Sequence, residues 1–201
     1  MRWMWIDRVV AFEAGRRLVA VKNVSLAEEH LHDHFAADAH DEAFPVMPAS
    51  LIIEGMAQTA GILVGSTRNF EEKVVLAKIG SAVIESDVLP GQCIRYDATI
   101  DRIDEMGANT IGTIERLDHC DGKWVVIGRT EMMFSHLDQN RAGTEFPEEN
   151  FVFGENFRTL LIGAGLQKAG AGPHMKPHVK PHVKPHVKPH EKPSAAPPAS
   201  I

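Results

Sequence analysis

The segment from Phe44 to Gly61 constrains the fold of this 201-residue chain more than any other. It begins with two prolines, Pro45 and Pro48, which fix two backbone φ angles and hold the residues before them extended. From Leu51 to Val64 it is almost wholly apolar and contains no proline. That length forms about four helical turns and is too short to cross a bilayer. The sequence therefore predicts a core helix that follows an extended segment.

A single ionisable residue, Glu54, interrupts this apolar helix. One interpretation places it on a solvated stripe with Gln58, which lies four residues further on and on the same face. The other interpretation starts from the apolar residues on every side of the helix, which indicate that it is enclosed. Burial favours the protonated form of a carboxyl group, so Glu54 would then be a proton donor near neutral pH, with Gln58 orienting it.

Charge and cysteine content exclude several classes of function. The formal net charge is −6, but residues 173–193 contribute +4, which leaves −10 on the rest of the chain. Because phosphate contacts require clustered Lys and Arg, we expect no nucleic-acid partner. Cys93 and Cys120 lack Cys-x-x-Cys spacing, which indicates free thiols, a reducing compartment and no metal site. The first residues do not form a signal peptide, so we expect a cytoplasmic protein that does not associate with membranes.

Alternating apolar and polar residues predict an antiparallel sheet around the helix. No helices separate the later strands, which excludes a doubly wound fold and favours an α+β architecture with one helix wrapped by a strongly curved sheet. Ser25 to Glu42 is predicted to be a loop. The strand-like segments are Asp7–Phe12, Arg17–Val24, Val74–Ile84, Ile94–Ile100, Asn109–Leu117 and Lys123–Ser135.

Three regions follow from this pattern: a folded domain at 1–140, an extension at 141–172 and a tail at 173–201. Apolar residues in the extension indicate a short terminal helix on the body. The tail repeats Pro-His-x-Lys, and proline at every fourth position prevents a helix, so we expect an extended, disordered segment. It is interpreted either as a soluble spacer or as a weak binder of divalent transition metals through its histidines.

Six short motifs carry a resemblance to a known family over roughly residues 3–135. The chain resembles the hot-dog-fold 3-hydroxyacyl-(acyl carrier protein) dehydratases of fatty-acid synthesis. The resemblance implies a homodimer, or a higher oligomer, whose active site lies at the interface and pairs a His of one subunit with a Glu of the other. It implies no cofactor. The motifs are Asp7-Arg-Val9, Lys22-Asn-Val24, His34-Phe35, Pro45-Val-Met-Pro48, Leu51-Ile-Ile-Glu-Gly-Met-Ala-Gln58 and Val88-Leu-Pro-Gly-Gln92.

The identity of the catalytic histidine depends on how the motifs are aligned. The family motif places its His and Glu fourteen positions apart, whereas His34 and Glu54 are twenty apart. Counting forward from Val24 selects His34 and implies an insertion of about six residues within 36–43. Counting back from Glu54 selects His40 instead. We favour His34.

Four histidines lie within eleven residues, and a metal cluster is the alternative interpretation of them. Their spacing matches no familiar set of metal ligands, so we predict no metal site. His30 and His32 are interpreted as loop residues. The four are His30, His32, His34 and His40.

The resemblance also implies the roles of individual residues. His34 would take the α-proton of a 3-hydroxyacyl thioester, and Glu54 would donate a proton to the departing β-hydroxyl, leaving a trans-2-enoyl thioester. The backbone N–H of Ala49, just after Pro48, would bind the thioester oxygen with the help of the helix dipole. The family has glycine at that position. Gln58 completes the predicted substrate site.

The thioester carrier and two other functions stay open. An acidic acyl carrier protein requires a basic docking face, for which Arg68, Lys73 and Lys78 are the candidates, and a coenzyme A thioester is the alternative. A hot-dog thioesterase would use Glu54 to activate water. A non-catalytic acyl-thioester-binding protein would result if the insertion displaced His34. Isomerisation is not expected, because isomerising relatives carry Asp where this chain has Glu54.

Overall fold

The computed structural model describes residues 3–35, 37–137 and 155–166. The predicted tail and most of the predicted extension lie outside these residues. Within them the chain forms six strands and three helices. They are β1 (Arg8–Glu13), β2 (Arg17–Asn23), α1 (His30–Asp33), α2 (Ala49–Ser66), β3 (Lys73–Ile84), β4 (Cys93–Ile103), β5 (Gly107–Asp118), β6 (Lys123–Leu137) and α3 (Glu155–Gly163).

The described strands form one antiparallel sheet in the order β1-β2-β4-β5-β6-β3. Strands β4 to β6 are neighbours in sequence and in space. Strand β3 directly follows α2 and lies at the far edge, beside β6. The fold is α+β, with one long helix wrapped by an antiparallel sheet, which confirms the predicted hot-dog architecture.

The sheet packs its apolar face on α2. In β4 the alternating residues Ile94, Tyr96 and Ala98 are fully buried, as the period of two predicts. Met56 of α2 lies against Gly112 of β5, where an added Cβ would come within 2.6 Å of the Met56 sulfur. Glycine at this position therefore allows the helix to approach the sheet closely.

The helix differs from its sequence-based description in two ways. It runs from Ala49 to Ser66, which is long and apolar enough to be a candidate membrane span, although 61% of that window is buried inside the fold. It is also not enclosed on every side, because Leu51, Ile53 and Glu54 are only half-buried. The predicted loop from Ser25 to Glu42 is wrong in part, since it contains the short helix α1.

Part of the apolar surface of β3 is uncovered in the single chain. Leu76 and Ile79 lie opposite Phe134 and Met132 of β6 in the strand register. Residues directly opposite in a sheet share a face, so Leu76 and Ile79 belong to the face that carries the buried Phe134 and Met132. They are nevertheless 38% and 43% exposed.

Helix α3 packs on the body beside β1 through Leu161, which is fully buried. Its end is well defined: the N–H of Leu166 donates to the Leu161 carbonyl at 2.9 Å, and the N–H of Gly165 donates to that of Ile162 at 2.9 Å. Gly165 has a φ of +71°. These features form a Schellman motif, which glycine favours because it tolerates positive φ.

Candidate active site

His34 follows α1 directly, and its ring is fixed by a backbone carbonyl. The ring is half-buried, and its Nδ1 lies 2.7 Å from the carbonyl oxygen of Val46. A carbonyl oxygen only accepts hydrogen bonds, so Nδ1 carries the proton in this contact. In the neutral ring, Nε2 therefore has the free lone pair and is the basic atom.

The Val46 carbonyl belongs to a rigid segment. Val46 and Met47 are 3% and 2% exposed, and the N–H of Met47 donates to the Val88 carbonyl at 2.9 Å. The prolines at 45 and 48 restrict the backbone on both sides. The segment thus holds the acceptor for His34 by burial, one backbone hydrogen bond and two fixed φ angles.

The residues on either side of the predicted insertion lie next to each other. The N–H of Phe44 donates to the Phe35 carbonyl at 2.9 Å, which joins the two ends of the loop. Phe35 has a φ of +54°, a left-handed conformation that turns the chain away after His34. Within the loop, the Asp38 carboxylate accepts from the N–H groups of His40 and Asp41, and these hydrogen bonds lower the pKa of Asp38. The contact between His34 and Val46 is therefore compatible with the inserted residues.

The other three histidines of this region lie in different surroundings. His32 and His40 are exposed. The His30 ring lies edge-on to Trp5, with 5.1 Å between ring centroids, and its Nε2 is 3.7 Å from Glu28 Oε2. Burial lowers the pKa of His30. Across residues 3–35, 37–137 and 155–166, no group of three or more His, Cys, Asp or Glu side chains is arranged to hold a metal ion.

A buried lysine ties the loop before α1 to β2. The Lys22 side chain is 7% exposed, and its Nζ donates to the Asn23 carbonyl at 2.8 Å and pairs with Glu28. Asp7 lies 3.6 Å away. Sequence reasoning identified Lys22 only as part of a motif and missed Glu28, because their pairing depends on the path of the loop between them.

Glu54 lines a cavity of about 400 Å³ between α2 and β3. One carboxylate oxygen, Oε1, accepts a hydrogen bond from Gln58 Nε2 at 3.0 Å, across one helical turn. The other residues around the cavity are mostly apolar. They are Trp3, Ala57, Gln58, Gly61, Val74, Val75, Leu76, Phe134 and Phe157.

Both the oxygen and the nitrogen of the Gln58 side-chain amide form hydrogen bonds, which fix the orientation of the side chain. Its Oε1 accepts from the Trp5 N–H at 2.9 Å, and its Nε2 donates to the Trp3 carbonyl at 3.1 Å as well as to Glu54. The residue is 8% exposed. The segment before β1 is thereby attached to α2 beside Glu54, a contact that the sequence did not predict.

The first turn of α2 lies close in sequence to the Val46 carbonyl. Pro48 precedes the helix, and its carbonyl accepts from the N–H groups of Leu51 and Ile52 at 2.9 and 3.2 Å. The N–H of Ala49 belongs to the first turn, for which helix geometry offers no intrahelical acceptor. Ala49 itself is exposed.

The structure does not bring the predicted catalytic pair into one cavity. Among the described residues that line the Glu54 cavity, His34 is absent. We call His34, Val46 and Ala49 the His34 half-site, and Glu54 and Gln58 with their cavity the Glu54 half-site.

The family model of the FabA-like domain matches residues 2–129 of this chain, which include His34, Val46, Ala49, Glu54 and Gln58. The chain belongs to the FabA-like family.

Several curated relatives of this FabA-like protein carry the same name. The 3-hydroxyacyl-(acyl-carrier-protein) dehydratase FabZ of Ruminiclostridium cellulolyticum is 35% identical over 99 residues, which cover 49% of this chain and 66% of the relative. The FabZ of Listeria welshimeri is 34% identical over 50% of this chain and 67% of its own length. The FabZ of Symbiobacterium thermophilum is 41% identical over 47% of this chain and 63% of its own length. The chain thus spans about two thirds of the length of these relatives.

Solved structures agree on the fold of this FabA-like chain. The dehydratase heterocomplex ApeI:P from Xenorhabdus doucetiae has a TM-score of 0.50 and 16% identity, covering 68% of this chain and 85% of that one. A thioesterase family protein from Silicibacter pomeroyi has a TM-score of 0.51 and 12% identity, covering 65% of this chain and 83% of that one. At such identities the likeness concerns the fold alone.

Proposed function

We propose that this protein is a hydro-lyase that dehydrates 3-hydroxyacyl thioesters to trans-2-enoyl thioesters, with acyl carrier protein as the carrier, in fatty-acid synthesis. Membership of the FabA-like family and the likeness to FabZ dehydratases support the reaction. The single observation that carries the mechanism is the hydrogen bond between His34 Nδ1 and the Val46 carbonyl. It leaves Nε2 as an unprotonated base in the neutral ring.

The reaction requires two proton transfers. His34 Nε2 takes the proton from the α-carbon, and the electron pair of that C–H bond forms the new double bond to the β-carbon. The bond between the β-carbon and its hydroxyl breaks, and the proton of Glu54 leaves with that hydroxyl as water. His34 then holds one extra proton and Glu54 has lost one, so a proton returns from His34 to Glu54, through solvent, before the next cycle.

Charge develops on the thioester oxygen during proton removal and requires hydrogen-bond donors. The first turn of α2 supplies the N–H of Ala49, and the positive end of the helix dipole lies at the same place. Pro48 positions this turn and cannot itself donate a hydrogen bond. Gln58 acts on the other half-site, where its hydrogen bond at 3.0 Å orients the Glu54 carboxyl group.

A homodimer of this chain would bring the His34 half-site and the Glu54 half-site together. Strand β3 is an edge strand of twelve residues, and its apolar Leu76 and Ile79 are exposed. Long edges of this kind are usually paired or covered, and a second copy of the chain would do both. In such a dimer His34 of one subunit faces Glu54 of the other.

Docking of an acidic acyl carrier protein depends on exposed cations. Lys73, one of three cations expected to form a docking patch, is only 7% exposed. Arg68 and Lys78 are exposed and are the cations of that group that an acidic carrier protein reaches. A coenzyme A thioester is the alternative carrier. The cytoplasm, where fatty acids are made from soluble intermediates, is the proposed location.

The test follows the conjugated enoyl thioester by absorbance, starting from a 3-hydroxyacyl thioester. Wild type is expected to convert the substrate, and His34→Ala and Glu54→Gln to lose about 10²–10⁴-fold in rate because each removes an acid–base group. His40→Ala is the matched control, since His40 lies in the loop, and it should retain activity.

Other outcomes assign other functions. A dead His40→Ala with an active His34→Ala would overturn the choice of base. Release of free thiol without an enoyl product would indicate a thioesterase, and binding of the thioester without turnover would indicate a non-catalytic acyl-binding protein.

A further inference from the structure

The Glu54 cavity is a groove that follows one face of α2. The helix residues that line it are Glu54, Ala57, Gln58 and Gly61, at spacings of three, four and seven. These positions lie above one another on a helix, and seven residues correspond to about 10 Å along its axis. The groove therefore begins at the proposed proton donor and continues for about two helical turns.

Apart from Glu54 and Gln58, the groove is lined by apolar residues. They come from β3 (Val74, Val75 and Leu76), from β6 (Phe134) and from α3 (Phe157), with Gly61 on the helix itself. An unpaired amide in such surroundings loses its hydrogen bonds to water, whereas an alkyl chain gains from leaving water. This apolar lining thus suits the acyl tail of a thioester and not its amide-containing carrier arm.

Phe157 is contributed by an element outside the family match. The FabA-like model ends at residue 129, and α3 begins at Glu155. The helix is held in place by the fully buried Leu161, one turn after Phe157 and on the same side. Phe157 is therefore a wall that this chain adds to a groove formed by family elements.

We propose that α3 sets the acyl-chain length of the substrate, with Phe157 as the residue that limits the groove. This inference rests on the proposed function, because it assigns the groove to the tail of the thioester that Glu54 protonates. Phe157 is a specificity residue and takes no part in the proton transfers.

The test compares Phe157→Ala with Leu160→Ala in the full chain. Leu160 is on the same helix and half-buried, but it lines a separate cavity with Met4 and Ile6. We expect Phe157→Ala to raise kcat/KM for 3-hydroxypalmitoyl relative to 3-hydroxybutyryl thioester by roughly tenfold or more, since each additional buried methylene contributes about fourfold. Leu160→Ala should leave that ratio unchanged.

Gly61→Ala tests the same groove from its helix wall. An added Cβ at Gly61 meets only Phe134 Cε1, at 3.6 Å, which is ordinary contact, so the variant should fold normally. It narrows the groove and is expected to lower the relative kcat/KM for the palmitoyl substrate by roughly fourfold.

The outcomes separate the two proposals. If wild type converts the thioesters and all three variants share its chain-length profile, α3 does not set chain length and the inference is overturned. If wild type converts none of them, the proposed function fails. Calorimetric binding of the same thioesters then decides the inference, which predicts tighter binding of the palmitoyl substrate to Phe157→Ala than to wild type, and an unchanged affinity would overturn it.

Discussion

The two half-sites are built by different means. The His34 half-site depends on backbone groups: the Val46 carbonyl holds the imidazole, and the Met47 N–H fixes that segment to Val88. The Glu54 half-site depends on side chains, with Gln58 bridging the helix to the segment before β1 and apolar residues from several elements closing the cavity. A site held by backbone hydrogen bonds tolerates changes in neighbouring loops, whereas a site held by packing tolerates few changes in volume.

The strongest test of this comparison is complementation between inactive subunits. His34→Ala and Glu54→Gln each remove one half-site of the proposed homodimer, and each variant alone is expected to lose about 10²–10⁴-fold in activity. Co-expression of the two gives heterodimers in which one site has both wild-type residues. Enoyl formation by the purified heterodimer should then recover far above either homodimer.

The control for complementation is the double variant His34→Ala with Glu54→Gln on one chain, co-expressed with wild type. Its heterodimer has no site with both residues, so activity should come only from wild-type homodimers. Absence of recovery in the first mixture would mean that both residues act within one chain, and the separation of the half-sites would then be wrong.

Packing around α2 predicts that alanine substitutions at two of its glycines have opposite effects on stability. A Cβ at Gly55 would overlap the Tyr96 hydroxyl and lie 2.8 Å from the Trp5 carbonyl, whereas Gly61 has room. Gly55→Ala should lower the free energy of unfolding by a net ~2 kcal/mol, since overpacking outweighs the gain in helix propensity. Gly61→Ala should raise it by up to about 1 kcal/mol.

Urea unfolding of the two glycine variants, at the same protein concentration, measures their free energies of unfolding. Equal stability of the two would show that the contact between Tyr96 and α2 relaxes without cost.

The insertion provides a milder test of the His34 half-site. Replacing residues 36–43 with Pro-Gly restores the spacing of the family motif. Because the ends of the loop already meet at Phe35 and Phe44, we expect His34 to keep its contact with Val46 and kcat to change by less than about tenfold. A shortened loop that gains activity by orders of magnitude would indicate that the insertion displaces His34 in the native protein.

The smallest expected effect is a pH dependence at His30. Burial lowers the pKa of His30 below its ordinary value of 6.5, with Glu28 opposing this shift and Lys22 and His34 adding to it. Below pH 6.5 the unfolded chain then binds more protons than the folded one, so the free energy of unfolding decreases as the pH falls from 6.5 towards the lowered pKa.

His30→Phe should reduce this decrease, as measured by urea unfolding at several pH values. His32→Asn is the control, since His32 is exposed, and it should leave the pH dependence in place. An identical decrease in wild type and His30→Phe would assign it to other groups.

The sequence predicted those parts of the fold that depend on local periodicity. Strand β4 shows the period of two that burial on one face requires, and α2 was predicted from a proline-free apolar run long enough for a helix. Helix α1 was missed because its four residues, His30 to Asp33, are too short and polar to show any period. The place of β3 at the edge next to β6 depends on long-range pairing, which periodicity does not encode.

The candidate site also combines residues that the sequence pattern indicates with contacts that depend on the folded chain. Glu54 was selected as a candidate because a carboxylate within an apolar helix is unusual, and His34 because its spacing from Val24 matched a family motif. The Trp3 and Trp5 backbone groups that hold Gln58 could not be predicted, since they meet α2 only after the chain has folded. Phe157 shows no signal beyond its apolar side chain, and its place beside the Glu54 cavity follows from the docking of α3.

The exposed apolar residues on β3 also connect the stability of this protein to its concentration. If pairing of two β3 edges covers Leu76 and Ile79, association adds to the free energy that keeps each subunit folded. By mass action, dilution then lowers the melting temperature, and storage of dilute enzyme favours the aggregation-prone monomer. Activity and shelf life would therefore depend on the same strand, although it contains neither proposed catalytic residue.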